Sequence, residues 1–376
     1  MSIPRRKFLT LIGGGTILAA GAAGLYAGTR TPTAALTPWN SAGRYDDPRL
    51  RALSYALLAP NPHNRQPWVA RLDGADGLTL FRDPTRNLPE TDPFDRQLTI
   101  GMGCFLELMV QAAAEEATGV ALNLFPEGTG PKAPVAHARF TGPAAPDPLF
   151  AQVMHRHTNR KPYDMARPVA EADIAAILGA ATDDVRADGT GDAESTQRLR
   201  DLTLAAIIVE TETPRTHHES VRLMRIGKAE IETSPDGISV GGPLPDALGR
   251  LGLLTRESMA DPGSSTFAQT IDMFRTAFAA TPAFFWLATP GNARTDQIAA
   301  GRSWVRAHLQ ATALGLAVQP VSQALQEYPE MADHRAEVHA LCARGGETLQ
   351  MLGRLGYGPK QGPAPRWPLE TRLVDA

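Results

Sequence analysis

Ten residues at 59–68, Ala-Pro-Asn-Pro-His-Asn-Arg-Gln-Pro-Trp, carry the densest chemistry in the chain. Pro60 and Pro62 pin φ and remove backbone donors. Asn61 and Asn64 each donate and accept at once, His63 adds an imidazole, and Gln66 follows. Such a set suits a ring edge with alternating carbonyl and N–H groups. It equally suits a plain Asn/Pro turn between a helix and a strand. A second stretch, His-Arg-His-Thr-Asn-Arg-Lys-Pro-Tyr-Asp at 155–164, alternates cations and hydroxyls. Arg156 and Arg160 can form bidentate, charge-assisted bonds to a phosphate, and Thr158 adds a donor. Alone, the stretch also reads as a solvated basic turn.

The elements around these stretches must position them. A helix-like run at 50–58 leads into the first loop and strand-like runs at 66–72 and 78–81 follow it. Residues 103–118 read as an apolar, small-residue helix closed by Gly119 as its cap. Strands are expected at 121–125, 136–140 and 283–288, with a Pro-rich connector at 141–148. Residues 31–44 read as a linker without periodicity. Residues 211–275 read as irregular, and a long region of that kind is often a lid. His217 and His218 lie there, but no third ligand is spaced near them, so no metal site is expected. The Ala-rich run at 301–317 echoes that at 111–121, and 172–181 parallels 50–58. Two Ala-rich helices can look alike by chance; if the echo is real, the chain is a diverged tandem duplication.

The chain has 376 residues, room for one large domain or two small ones. Lys plus Arg number 37 against 40 Asp plus Glu, with no basic block, which argues against a nucleic-acid partner. Two cysteines make no disulfide framework, and Cys104 is expected as a buried thiol. Arg5 and Arg6 precede Phe8-Leu9 and an apolar Gly/Ala-rich run at 11–26. That pattern marks the twin-arginine export pathway, which carries folded proteins, often with a cofactor loaded. The alternative is a basic start before an uncleaved anchor. The expected location is the periplasm or the outer face of the inner membrane.

The loop at 59–68 resembles the A-P-S-x-x-N-x-Q-P-W signature of the nitroreductase-fold flavoproteins, with Asn61 at the Ser position. The stretch at 155–164 resembles that family's R-x-S-x-R-x-F signature. The resemblance covers most of 45–370 and implies FMN. Arg156, Thr158 and Arg160 would hold its phosphate end, joined by Arg366 from a Pro-Arg tail segment. Asn61, His63, Asn64 and Gln66 would meet the ring or ribityl end, and backbone groups of Pro320, Val321 and Ser322 would face the ring. The two motifs occur once each and in reversed order, similar to a tandem-repeat branch in which a fused dimer keeps one site. The implied fold is α+β in three layers, a mainly antiparallel central sheet flanked by helices, repeated twice. The expected bounds are a signal at 1–30, a first repeat at 31–145, and a second at 146–376 carrying the lid-like insert at 211–275. The chain would be a monomer acting as a pseudo-dimer, with one flavin. Two activities stay open. One is two-electron transfer to a nitro- or quinone-type acceptor, with NAD(P)H or another donor. The other is flavin sequestration under a closed lid with little turnover. A structural protein that has lost the cofactor is a third. No acid–base or metal-binding residue stands out.

Overall fold

The fold is described from a computed structural model, which covers Tyr26 and residues 28–375; the twin-arginine stretch lies outside the described residues. Helix α1 (Thr37–Ser41) and α2 (Pro48–Ala56) lead into a hairpin of β1 (Trp68–Asp73) and β2 (Gly77–Arg82). Helix α3 (Arg96–Glu115) follows, then β3 (Thr118–Leu124) and β4 (Ala136–Pro143). These strands form one antiparallel sheet in the order β1-β2-β4-β3. The second half starts with α4 (Glu171–Leu178) and β5 (Arg186–Thr190). Its helices α5 (Ala193–Glu212) and α6 (Pro214–Arg222) precede a small parallel pair, β6 (Met224–Ile226) and β7 (Ile238–Val240), around α7 (Gly227–Thr233). Helices α8 (Pro243–Arg250), α9 (Arg256–Ala260) and α10 (Ser265–Ala279) complete the excursion. Then come β8 (Ala283–Thr289), α11 (Arg294–Ala313), β9 (Ala317–Pro320), α12 (Ala332–Cys342) and β10 (Thr348–Gly356). The second antiparallel sheet runs β5-β8-β10-β9.

Within each half the strand order is the same: first, second, fourth, third. In each, a 20-residue helix joins the second strand to the third. The fold is therefore α+β with two fused repeats of one topology. The two long helices pack on each other where Gly103 meets Gly301, each the eighth residue of its helix. A Cβ on Gly103 would lie 2.3 Å from the Ile298 carbonyl oxygen, and one on Gly301 would lie 2.0 Å from that of Ile100. Only glycine permits this approach. Glu107 of α3 ties the pair further, accepting from Arg302 at 2.9 Å and Arg306 at 2.8 Å. Helix α3 is long and apolar enough to cross a membrane by composition, but 89% of its apolar window is buried against these neighbours.

Every residue of β8 is buried, and its alternation divides the core. Phe285 and Leu287 face the cluster shared by both long helices. Phe284, Trp286 and Ala288 face a second cluster with α5, α10 and α12. Two isolated bridges tie distant segments of the chain to the sheets. Thr158 bridges in parallel to Val318 of β9, and Leu373 bridges to Ala70 of β1.

Three expectations are corrected. Residues 211–275 are not irregular; prolines at the first turn of α6 and α8 start helices there. The stretch at 31–44 contains α1, with Trp39 only 5% exposed. Helix α3 starts at Arg96, where the buried Asp92 carboxylate caps the N–H groups of Gln97 and Leu98, and it ends at Glu115 without using Gly119. Ala117 makes the left-handed turn at φ 53°. Gly119 sits in β3, where a Cβ would come 2.8 Å from the Thr141 carbonyl oxygen.

Candidate functional site

The loop after α2 is held in a strained form. His63, Asn64 and Gln66 have φ of 46°, 51° and 49°. Three non-glycine residues in the left-handed region within four positions persist only where surroundings impose them. Asn61 provides part of that constraint: its Oδ1 accepts from Gln66 N–H at 2.7 Å and its Nδ2 donates to the Ala59 carbonyl at 3.2 Å. Beneath it, Gly101 of α3 leaves room for the Asn61 side chain.

Two buried arginines close on this loop from distant parts of the chain. Arg366 is 2% exposed and Arg156 is 3% exposed. Arg366 donates to the carbonyls of Leu57 at 2.7 Å, Leu58 at 3.1 Å and Ala59 at 3.0 Å, and to Asn64 Oδ1 at 2.7 Å. Arg156 donates to the same Leu58 carbonyl at 3.0 Å, and its Nε has no partner. Neither makes an ion pair with a carboxylate among the described residues. Burial lowers the pKa of both, to about 9 for Arg366, where Arg156 adds repulsion, and to about 10 for Arg156. The histidines around them are pushed the same way. His157 and His63 both fall to about 4, first by burial and then by nearby arginines, Arg156 and Arg366 for His157 and Arg160 for His63. His308 falls well below its ordinary value by burial and Arg156, whose Nη1 lies 3.5 Å from its Nδ1. The Nδ1 atoms of His63 and His157 are buried and unpartnered. A buried cluster of cations and donors without an anion is costly. It fits a bound phosphate-like dianion.

The structure brings Asn61, His63, Asn64, Gln66, Arg156 and Arg366 together and sets Arg160 at the rim beside His63. Thr158 is held against β9, bridging Val318 while Asn159 N–H donates to the Val318 carbonyl at 2.9 Å, and among the described residues no hydrogen bond joins its side chain to this cluster. Pro320 has no N–H, and Val321 N–H is committed to the Leu352 carbonyl at 2.9 Å. Of the three expected backbone donors, that leaves Ser322. The ring-end amides are also engaged. Asn64 Nδ2 and Gln66 Nε2 both donate to the Pro235 carbonyl, at 3.3 and 2.7 Å, and Gln66 Oε1 accepts from Trp367 N–H at 2.9 Å. Pro235 belongs to the insert, so this segment sits on the donors that a ring edge would need.

The neighbouring Asp236 fixes that segment. Its carboxylate meets Arg65, Arg86 and Arg225, each at 3.0 Å. The sequence reading missed Asp236, Trp39 and His308. Trp39 packs its ring 5.1 Å from that of His157 and lies under the Arg366 guanidinium at 5.9 Å. Its only sequence signal was an aromatic in an otherwise small-residue stretch. An open cleft of about 460 Å³ lies at the N-terminus of α11, lined by Phe94, Asn292, Arg294 and Glu327, and includes none of these residues. No cluster among the described residues can hold a metal; His217 donates to the Met259 carbonyl instead. Cys104 and Cys342 are buried free thiols, both pushed up to about 12 by burial.

No family model matches the chain. Two Mycobacterium tuberculosis proteins, from the H37Rv and CDC 1551 strains and each named "Putative NAD(P)H nitroreductase", are 30% identical over 325 residues, 82% of this chain and 84% of theirs. A nitroreductase with bound FMN from Desulfitobacterium hafniense aligns over 61% of this chain and 97% of its own, at 13% identity and TM-score 0.37. An FMN-dependent nitroreductase from Mycobacterium smegmatis, in complex with NADPH, aligns over 57% and 92%, at 17% identity and TM-score 0.35.

Proposed function

The chain belongs to the nitroreductase family, and from that footing we propose that it is an FMN-dependent oxidoreductase acting on a nitro- or quinone-type electrophile. The observation that carries this reading is the buried Arg156–Arg366 pair, which has no carboxylate partner among the described residues and flanks a strained amide loop. FMN, when bound, would supply two-electron chemistry. Arg156 and Arg366, with Thr158 and Arg160 at the rim, would hold its phosphate. Asn61 would keep the loop in register, while Asn64, Gln66 and His63 would orient the ring. Trp39 and His308 would exclude water behind the guanidiniums, which strengthens their hold on an anion. NAD(P)H is the donor the relatives' names favour. One such constellation per chain makes a fused pseudo-dimer with a single flavin. NADPH oxidation by the FMN-reconstituted protein, with a nitroaromatic or quinone as acceptor, is the test. Acceptor-dependent turnover is expected; its absence with every donor would remove the enzymatic reading.

A second reading is flavin sequestration. It is favoured by the Pro235 carbonyl, which occupies the donors of Asn64 and Gln66, and by the three arginines that hold Asp236. On this reading Asp236→Asn loosens the insert and raises the rate of flavin reduction without releasing FMN. We further propose export by the twin-arginine route, on the strength of Arg5 and Arg6 ahead of Phe8-Leu9. Changing both arginines to lysine keeps the charge; cell fractionation should then find the protein retained inside.

A further inference from the structure

Among the described residues, helix α8 leaves an apolar face without a partner. Leu244, Leu251 and Leu253 are 67, 71 and 65% exposed. Leu244 and Leu251 are seven residues apart, so they lie on one side of the helix and its end. Leu253 joins them because the chain turns back, its N–H donating to the Leu248 carbonyl at 2.9 Å. Three large aliphatic side chains exposed side by side mark an interaction surface more than ordinary surface scatter.

What lies next to this face narrows the partner. The buried Asp246 of α8 gathers the start of the described chain: it accepts from Tyr26 Oη at 2.6 Å and from Arg30 Nη1 at 3.4 Å. Lys228 Nζ reaches the Thr29 carbonyl at 3.2 Å. The described chain therefore begins beside α8, at the residue where the apolar run of the sequence at 11–26 ends. The charge turned to solvent there is cationic. Arg250 has a side chain 60% exposed, while its partner Asp246 is 3% exposed. An amphipathic turn with aliphatic side chains on one face and an outward cation suits the headgroup region of a bilayer.

We propose that the α8 face, with Leu244, Leu251 and Leu253, lies on a lipid bilayer, on the side of the protein where Tyr26 begins the described chain. The run at 11–26 ties the chain to the membrane, and the leucines set the orientation of the body against it. This orientation rests on the leader being directed to a membrane and is independent of flavin binding.

The test reads the face and not the tether. Leu251→Cys and, as a remote control, Met273→Cys are each labelled with an environment-sensitive fluorophore on the full chain. Both native thiols are buried and stay unlabelled. Each variant is added to vesicles of phosphatidylcholine and phosphatidylglycerol, with and without bromine-bearing tails. The expected result is a blue shift and bromine quenching at position 251 and neither at 273. Adding Leu244→Ser and Leu253→Ser should remove the quenching while the protein stays with the vesicles; circular dichroism checks that the fold is kept. A water-like signal at 251 on vesicle-bound protein would overturn the proposal. Failure of the full chain to bind vesicles would overturn it through the leader. A label shielded before vesicles are added would assign the face to a second copy or to the leader itself.

Discussion

The connection from a helix to the first strand of a sheet is made twice, and the two versions differ. After α2, residues 57–67 hold three left-handed residues and meet Arg156 and Arg366. After α4, residues 179–185 contain no residue with positive φ. There Thr182 N–H donates to Ser303 Oγ at 3.0 Å and its hydroxyl bonds Asp184 at 2.6 Å. The first loop spends strain and orphaned donors, which fold stability alone does not require. The second merely closes a turn, and its Asp183 and Asp184 would repel an anion. On the proposed reading, two copies of one topology carry one site, because only the first loop is charged and shaped for a ligand.

The largest effect should come from Arg366→Ala. It leaves the Leu57 carbonyl and Asn64 Oδ1 without a donor, while the Ala59 carbonyl keeps Asn61 Nδ2. Each buried orphan costs roughly 1–3 kcal/mol, so urea unfolding should show a loss of at least about 2 kcal/mol. Thr182→Ala in the second loop should cost only about 1 kcal/mol, the net worth of an ordinary hydrogen bond. Equal losses would erase the contrast. Next is Arg160→Ala. Its effect on stability should be small, since Arg160 is exposed and makes no hydrogen bond among the described residues. FMN affinity should fall by about 1.5–3 kcal/mol by titration calorimetry, with Arg160→Lys recovering part.

The shared architecture is tested by Gly103→Ala and Gly301→Ala. Overpacking typically costs about 1–3 kcal/mol, and the two changes should cost alike because each meets the other helix's backbone. Very different losses would show that the long helices are not equivalent. The smallest effect is His63→Gly. Relieving φ 46° should stabilise the unliganded protein by about 1 kcal/mol while FMN binding weakens. Destabilisation would mean that the His63 side chain serves the fold.

Much of this contrast is legible in residue types. The prolines and amides at 59–68 announce the loop, the unbroken apolar run of β8 its two-sided burial, and the Ala-rich runs the long helices. Other parts depend on distant partners. Trp39 is fixed by its Nε1 bond to the Ala364 carbonyl, far along the chain, and a lone aromatic in 31–44 does not foretell that partner. Asp236 is one carboxylate in a Pro-Asp-Gly turn, and its three arginines come from separate segments. Gly119 misleads because a glycine needed for close strand contact looks the same as one that caps a helix. The donors of Asn64 and Gln66 were readable; that the insert takes them was not.

We propose one flavin site per chain, built by the first loop and the two buried arginines. Reconstituting the purified protein with excess FMN, removing the unbound flavin, and measuring released FMN against protein tests it most directly. One FMN per chain is expected, lost in Arg156→Ala. Two per chain would contradict the single-site reading, and none would contradict the site itself.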